Sequence, residues 1–372
     1  MIKRRLAAVM AFGLFKKKKK ETKENIPSGF LKLKVNKVVK ETADAVSIHF
    51  EQPEDGKIFY KAGQYFTIMV NINGKDERRS YSLCSSPYTD ELPAVGVKRV
   101  EGGLVSNYLN SEVKAGDELL VVPPMGNFTT EFTTANDRHL VLFGGGSGIT
   151  PLISIAKSAL SQEPNTKVTL VYANRDEDSI IFKSEIESLS ANEQFEVKHV
   201  LESIPAGWNG FSGRISQPLI EQVLASVDVT KIECFTCGPA PMMDVVLDSL
   251  AVLGVDSSRV HKESFVSTKL EENKKESAEE LVAREVTVVL DDEEYKFTVN
   301  PDESILEKGL DEGLNLPFSC QSGLCTSCRG KCLSGKVKMD ESEGLTEAEL
   351  EEGFVLPCVA HPLTDDVKIE IG

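Results

Sequence analysis

Four cysteines near the end of the chain constrain its fold more than any other feature. Cys320, Cys325 and Cys328 are spaced by four and two residues, and Cys358 follows after 29 more. This is the plant-type spacing for a [2Fe–2S] cluster. One loop can wrap three thiolates around such a cluster, and a distant strand end supplies the fourth. The residues between them are small (Ser322, Gly323, Thr326, Ser327). Backbone N–H groups can therefore approach the bridging sulfides and stabilise the reduced, more negative state. Structural zinc is the competing reading. It usually takes two close cysteine pairs, or cysteines completed by histidine, and here there is one close pair and no such histidine. Cys332 lies in a β-like run and is expected to be a buried spare. Cys84, Cys234 and Cys237 are scattered. A chain this large without a convincing secretory signal is not expected to be a disulfide scaffold, and a cytoplasmic location follows.

The 372 residues suit two or three domains. The formal net charge of −16 comes from 42 Lys+Arg against 58 Asp+Glu. It is unevenly spread. Residues 271–372 carry 10 basic and 25 acidic residues, whereas 1–24 carry 9 basic and 2 acidic. The acidic balance argues against a general nucleic-acid binder, which needs a basic face for phosphates. At the basic tip, Leu6–Phe15 is an apolar run between Lys3-Arg4-Arg5 and Lys16–Lys20. It is too short for a span of about 20 residues, and no small-x-small cleavage site follows it. Two readings stand: a weak membrane-surface contact, at about 1 kcal/mol per basic residue near anionic lipid, or a solvated arm. Met10 is an alternative start.

The pattern divides the chain into a basic arm (1–25), a block of short β runs (26–133), a βαβ block (134–266), a polar linker (267–283) and the cysteine-bearing end (284–372). In the first block Leu31–Val35 alternates, and Ala45–Phe50, Tyr65–Val70, Ala94–Val100 and Glu118–Val122 follow. Such strands read as a small antiparallel barrel or sandwich. In the second block, apolar strands His139–Phe143, Lys167–Tyr172, Glu196–Leu201 and Cys234–Thr236 alternate with helical stretches, which implies a parallel sheet. In the last block, Val286–Leu290 and Tyr295–Val299 form a hairpin and Ser304–Glu312 a short helix.

Arg79-Ser80-Tyr81-Ser82 follows a β run and precedes Ser85-Ser86-Pro87. This RxYS sequence resembles the flavin motif of the ferredoxin–NADP reductase superfamily. The residue types suit the role. Arg79 offers a charged fork for a pyrophosphate, Tyr81 a ring beside the flavin, and Ser82 a hydroxyl for the N5 region. Val97-Lys98-Arg99 resembles the segment that runs past the isoalloxazine, with a solvated strand edge as the alternative for the two cations. Gly103, Leu104 and Ser106 resemble the turn and helix start that close on the pyrophosphate. Pro124-Met125-Gly126-Asn127-Phe128 resembles the family's PxGxF near the domain end.

Val141–Pro151 reads as a buried strand, a glycine turn and a helix start. Gly145, Gly146 and Gly148 let backbone reach a pyrophosphate, and Thr150 and Pro151 open the helix. The stretch resembles the GGGxGITP segment of the same superfamily. Arg175 lies where the adenosine ribose is expected and can meet a 2′-phosphate, while Asp176 and Asp178 oppose one, so NADPH and NADH both remain open. By the same resemblance Cys237 and Gly238 lie beside the nicotinamide, Glu263 near that cysteine and Phe265 near the flavin face. Ser82, Cys237 and Glu263 form the expected catalytic group. A small buried core residue is the alternative for Cys237.

Residues 284–372 resemble plant-type ferredoxins, with CQSGLCTSC and the late Cys358 as cluster ligands. The expected fold is thus multidomain: an antiparallel β-barrel for FAD, an α/β parallel-sheet nucleotide domain, and an α+β (β-grasp) ferredoxin domain. Nicotinamide delivers two electrons at once, whereas a plant-type cluster, near about −400 mV, takes one at a time. A flavin bridges the two. The domain order resembles oxygenase reductase components, most closely the reductase subunits of phenylacetyl-CoA epoxidases. The resemblance implies a separate oxygenase, preferably a di-iron monooxygenase of that type, as acceptor, docked through the acidic ferredoxin-like domain. Rieske-type or lipid oxygenases, and a quinone- or ferredoxin-type reductase, are the alternatives. The chain lacks oxygenase equipment of its own. Its single ExxH, Glu196–His199, alternates like a strand, and a di-iron site wants two such helices.

Overall fold

The computed structural model describes residues 30–53, 56–265, 282–301, 303–318, 321, 323, 325–340, 342 and 344–371. The expected arm at 1–25, nearly all of the expected linker and Cys320 lie outside these residues.

The first sheet has six antiparallel strands: β1 (Leu31–Lys40), β2 (Ala45–Phe50), β3 (Tyr65–Ile72), β4 (Lys75–Ser82), β5 (Ala94–Lys98) and β6 (Glu118–Met125). Their order is β4-β3-β6-β1-β2-β5. A bridge between Leu83 and Val95 ties the two edges, so the sheet rolls towards a barrel. Alternation does the work in β1. Leu33 and Val35 point inward with Ile48, Phe50, Phe66, Ile68 and Val121, and the intervening lysines stay outside. One short helix, α1 (Leu104–Ser111), follows β5. The Arg79–Ser82 motif, expected after a β run, lies inside β4. This strand reads KDERRSYS and has no apolar alternation, because it sits at the sheet edge. Its hairpin with β3 turns at Asn73 and Gly74, both at positive φ (55° and 85°), as a two-residue primed turn demands.

The second sheet is parallel throughout: β7 (His139–Gly145), β8 (Lys167–Asn174), β9 (Phe195–Leu201), β10 (Phe211–Ser212), β11 (Ile232–Cys237) and β12 (Val260–Glu263), in the order β10-β9-β8-β7-β11-β12. Helices α2 (Ile149–Gln162), α3 (Lys183–Leu189), α4 (Gln217–Leu224) and α5 (Ala240–Val252) connect the strands. Glu196 and His199 lie in β9, a strand as expected. The strand order reverses beside β7, where open α/β sheets form ligand crevices at their carboxyl ends. The barrel and this domain share a core. Ala45, Ala62, Cys84, Ala94 and Phe128 pack in one cluster with Leu152, Ile155 and Ala156 of α2. Across that seam Ser154 donates to the carbonyl of Ser85 (2.6 Å) and Lys157 meets Asp90 (2.8 Å), while Glu185 of α3 holds the same ammonium from its own domain (2.7 Å).

The third sheet holds β13 (Arg284–Leu290), β14 (Glu293–Val299), β15 (Gly330–Ser334), β17 (Phe354–Val355) and β19 (Val367–Ile371), in the order β14-β13-β19-β15-β17. β13 runs parallel to β19, and the other pairs are antiparallel. A second pair joins β16 (Val337–Met339) to β18 (Ala360–Pro362). Helix α6 (Ile305–Asp311) packs across the grasp, capped by a reciprocal Ser304–Glu307 box, and α7 (Glu347–Glu351) precedes β17. Cys332, expected to be buried, is half-exposed on β15 and donates to the Ser334 carbonyl, because this strand lies near the sheet edge.

At the foot of the parallel sheet, Arg138 pairs with Glu163 (2.5 Å) and Glu233 (2.5 Å) and donates to Thr130. The Glu163 side chain is fully buried and that of Arg138 is 9% exposed. Removing the guanidinium leaves a buried carboxylate without its counter-charge, held only by the neutral donors Asn136 and Thr166. Arg138→Ala should therefore lose about 3–5 kcal/mol, read as a large fall in melting temperature by calorimetry. An unchanged melt would show that water replaces the arginine.

Candidate active site

Three strand ends converge where the barrel meets the parallel sheet. Cys237 ends β11, Glu263 ends β12, and the two are register partners. Ser82 ends β4, and its hydroxyl donates to Glu263 Oε2 at 3.4 Å. The expected catalytic group is therefore assembled, from residues far apart in sequence. Enclosure by protein pushes the Glu263 carboxyl up to about 8, and the Ser82 hydroxyl pulls it back only in part. Burial, with Glu263 alongside, pushes the Cys237 thiol well up. At neutral pH this wall carries little charge. That suits a surface for a nicotinamide ring, whose hydride leaves without a base.

Beside the wall opens a cleft of about 860 Å³. Gly145, Gly146 and Ser147 line it from the β7 turn, Gly238–Met242 from the start of α5, and Asn174 and Arg175 from the end of β8. Lys98, Glu202, Arg214 and Phe265 complete its rim. The turn has to be glycine. A Cβ at Gly148 would lie 2.0 Å from the Cys237 carbonyl oxygen, and Gly146 has φ of 53°. No side chain caps α2. The amide of Asn174 is buried, with neither polar atom hydrogen-bonded. A nucleotide fits these features: a close backbone without side chains and an orphaned amide at the strand end. Thr150 and Pro151 are buried in α2 instead, with Thr150 donating to Ser147, so they support the turn.

Arg79 is half-exposed on the surface of β4, with Nη1 donating to the Arg78 carbonyl (2.6 Å) near Glu77 (3.5 Å). Ser80 lies beside Thr67 (3.3 Å). Tyr81 packs on the barrel core, and burial pushes its phenol up. Val97 turns its side chain into that core, so only its backbone can face a ligand. Lys98 reaches towards Asp44 (3.8 Å). Helix α1 begins at Gly103 with no side-chain cap, Leu104 is exposed, and Ser106 accepts from the Val100 N–H (3.1 Å). An uncapped helix start beside an exposed arginine and apolar residues fits a flavin dinucleotide.

In the third domain Cys325, Cys328 and Cys358 are all buried. Gly344 closes on Cys325 so tightly that a Cβ would meet its N and O at 2.9 Å, and Gln321 has φ of 54°. This tight backbone with soft thiol donors fits an iron–sulfur cluster. Among the described residues no three thiol, imidazole or carboxylate groups stand ready as a metal site, and Cys320 lies outside them.

Family comparisons match the same three units. The oxidoreductase FAD-binding domain family matches residues 32–130, the oxidoreductase NAD-binding domain family 142–248, and the 2Fe-2S iron-sulfur cluster binding domain family 288–363. The ferredoxin reductase component of 3-ketosteroid-9-alpha-monooxygenase from Rhodococcus rhodochrous is 39% identical over 91% of this chain and 96% of its own length. The chain belongs to the ferredoxin reductase components of oxygenases. A component of the 1,2-phenylacetyl-CoA epoxidase from Escherichia coli is 33% identical, over 92% of this chain and 97% of its own. The solved phthalate dioxygenase reductase, described as a modular structure for electron transfer from pyridine nucleotides to [2Fe-2S], has 26% identity and a TM-score of 0.60. That match covers 92% of this chain and 98% of the other. The family members are oxidoreductases with FAD-, NAD- and 2Fe-2S-binding domains, and this chain is one of them.

Sequence reasoning placed Tyr172–Arg175 at the ribose end without singling out Asn174, and it missed Glu202 and Arg214 as cleft residues. Asn174 was within reach, one residue before the expected Arg175. Glu202 and Arg214 flank a loop whose return no local pattern reveals.

Glu263 yields a prediction with a definite sign. Its folded carboxyl is raised, so the folded state holds a proton that the unfolded state releases above about 4.5. Stability should therefore fall as pH rises from there to about 8. Glu263→Gln should lack this fall, and melting curves across that window would show it. Parallel curves for both proteins would refute the burial argument.

Proposed function

We propose that the chain takes hydride equivalents from NADH at the Cys237–Glu263–Ser82 wall and passes single electrons through its cluster domain to a separate monooxygenase component. The convergence of the flavin-motif strand with the ends of β11 and β12 carries this reading. FAD supplies two-electron acceptance and one-electron release when bound. The protein's own residues do the rest. Arg79 and the start of α1 hold phosphates, and Ser82 directs its hydroxyl at the reacting edge. The glycine turn after β7 and the start of α5 seat the coenzyme, while Cys237 and neutral Glu263 present an uncharged wall to the nicotinamide. Cys320, Cys325, Cys328 and Cys358 would hold the cluster.

NADH is preferred for a charge reason. Arg175 lies 3.6 Å from Asp44, and Arg214 donates to Glu202 at 2.9 Å. Arg214 is matched by Glu202, which would repel a 2′-phosphate, while Arg175 shares Asp44 with Lys98. Glu202→Gln should raise kcat/KM for NADPH relative to NADH by about tenfold, the equivalent of about 1.4 kcal/mol. An unchanged ratio places the discrimination elsewhere.

The acceptor is read two ways. The motif pattern points to an epoxidase of the phenylacetyl-CoA type, and the higher identity favours a steroid monooxygenase. Purified chain supplied to each oxygenase, with substrate-coupled NADH oxidation as the readout, decides between them. Docking through the acidic domain predicts that this coupled rate falls as salt rises. A cytoplasmic setting fits. Among the described residues no helix is long and apolar enough to cross a membrane, and weak contact through the basic arm would show as salt-sensitive cosedimentation with anionic vesicles.

Cys325→Ser should abolish partner reduction while leaving NADH–ferricyanide activity, which needs flavin alone. Surviving partner turnover would remove the cluster from the route.

A further inference from the structure

Arg78 precedes the flavin-motif arginine on β4, yet nothing in the site above uses it. Its guanidinium lies over two aromatic rings, 5.0 Å from the centroid of Phe30 and 4.3 Å from that of Phe318. β4 is an edge strand, so its side chains can meet another domain. Phe318 belongs to that other domain. Its place is fixed from within, because Leu316, two residues earlier, is fully buried and presses on Gly309 of α6. A Cβ at Gly309 would meet Leu316 at 2.5 Å. Two residues after Phe318 comes Cys320, no more than about 7 Å further along an extended chain. One planar cation thus joins the strand that offers the flavin contacts to the segment that enters the cluster loop. A guanidinium stacked on aromatic faces gains most when water is excluded, and Arg78 is half-buried.

We propose that Arg78 is a positioning residue: by stacking on Phe318 it docks the cluster loop against the flavin strand and sets the rate of internal electron transfer. The proposal rests on the flavin-to-cluster route given above. Each NADH yields a hydride, which is two electrons and a proton, and leaves as NAD⁺. The proton passes to solvent. The electrons cross the contact singly, each reducing the cluster by one and moving to the acceptor before the next.

The test uses the full-length holoprotein and rapid mixing with NADH, following the flavin and cluster absorbances separately. In Arg78→Ala, cluster bleaching should slow about tenfold while flavin bleaching stays within about twofold, since losing the stack undocks the domain without touching the hydride site. Phe318→Ala should reproduce this, and Phe318→Tyr, which keeps the ring, should behave as wild type. The Arg78→Ala/Phe318→Ala double variant should be no slower than either single variant, because the two share one interaction. Small-angle scattering gives a reading independent of turnover: Arg78→Ala should have a larger radius of gyration than wild type. Unchanged cluster bleaching in Arg78→Ala, or slowdowns that multiply in the double variant, would overturn the proposal. If NADH bleaches the flavin but never the cluster in the wild type, the electron route itself is wrong. Scattering alone then judges the clamp, and equal dimensions overturn it.

Discussion

The turn after β7 closes directly onto the end of β11. A single methyl at Gly148 would collide with the Cys237 carbonyl, and this contact sets the geometry of everything around it. Because the two strand ends meet, Cys237 is buried beneath the glycine turn and its register partner Glu263 stands beside it. Because α2 starts there, the glycine turn that leads into it lines the same opening. The same helix carries the residues that pack on the barrel, so its position also brings Ser82 of β4 to Glu263. One close approach of backbone to backbone therefore positions the wall, the helix terminus and the domain seam together.

The electrostatics of that wall follow from its enclosure. A carboxylate in water would be ionised well below neutrality, and next to a nicotinamide it would favour the cationic, oxidised ring. Here enclosure keeps Glu263 protonated up to about 8. Its neighbour thiol is likewise held neutral. Charge is placed instead at the far end of the cleft, as arginines beside carboxylates. The Cys237–Glu263 wall is thus nearly neutral and the arginine-bearing rim polar, a division that would suit the proposed nucleotide site by leaving its hydride step unbiased.

The architecture is legible wherever apolar periodicity is strong. The alternation of β1, the buried runs of β7 and β8 and the glycine turn each give their element directly. β4 does not read as a strand, although it carries the flavin motif, because an edge strand exposed to solvent and to ligand has no reason to alternate. The Asn73-Gly74 pair is the local sign of its hairpin. The convergence of Ser82, Cys237 and Glu263 comes from resemblance, since no spacing in the chain reveals that residues 181 positions apart touch. Glu202 and Arg214 are invisible for the same reason: long-range contact leaves no local trace.

The uneven charge takes on meaning once the domains are separated. Residues 271–372 account for nearly all of the acidic excess, while Arg78 of the first domain meets them through an aromatic ring. A salt bridge at that seam would compete with the acidic surface for basic partners and weaken with ionic strength. Stacking on Phe318 leaves the carboxylates free and depends little on salt. Under the proposed route, the domain would stay docked to its electron source by one kind of interaction and meet its acceptor by another, so the two contacts would not compete.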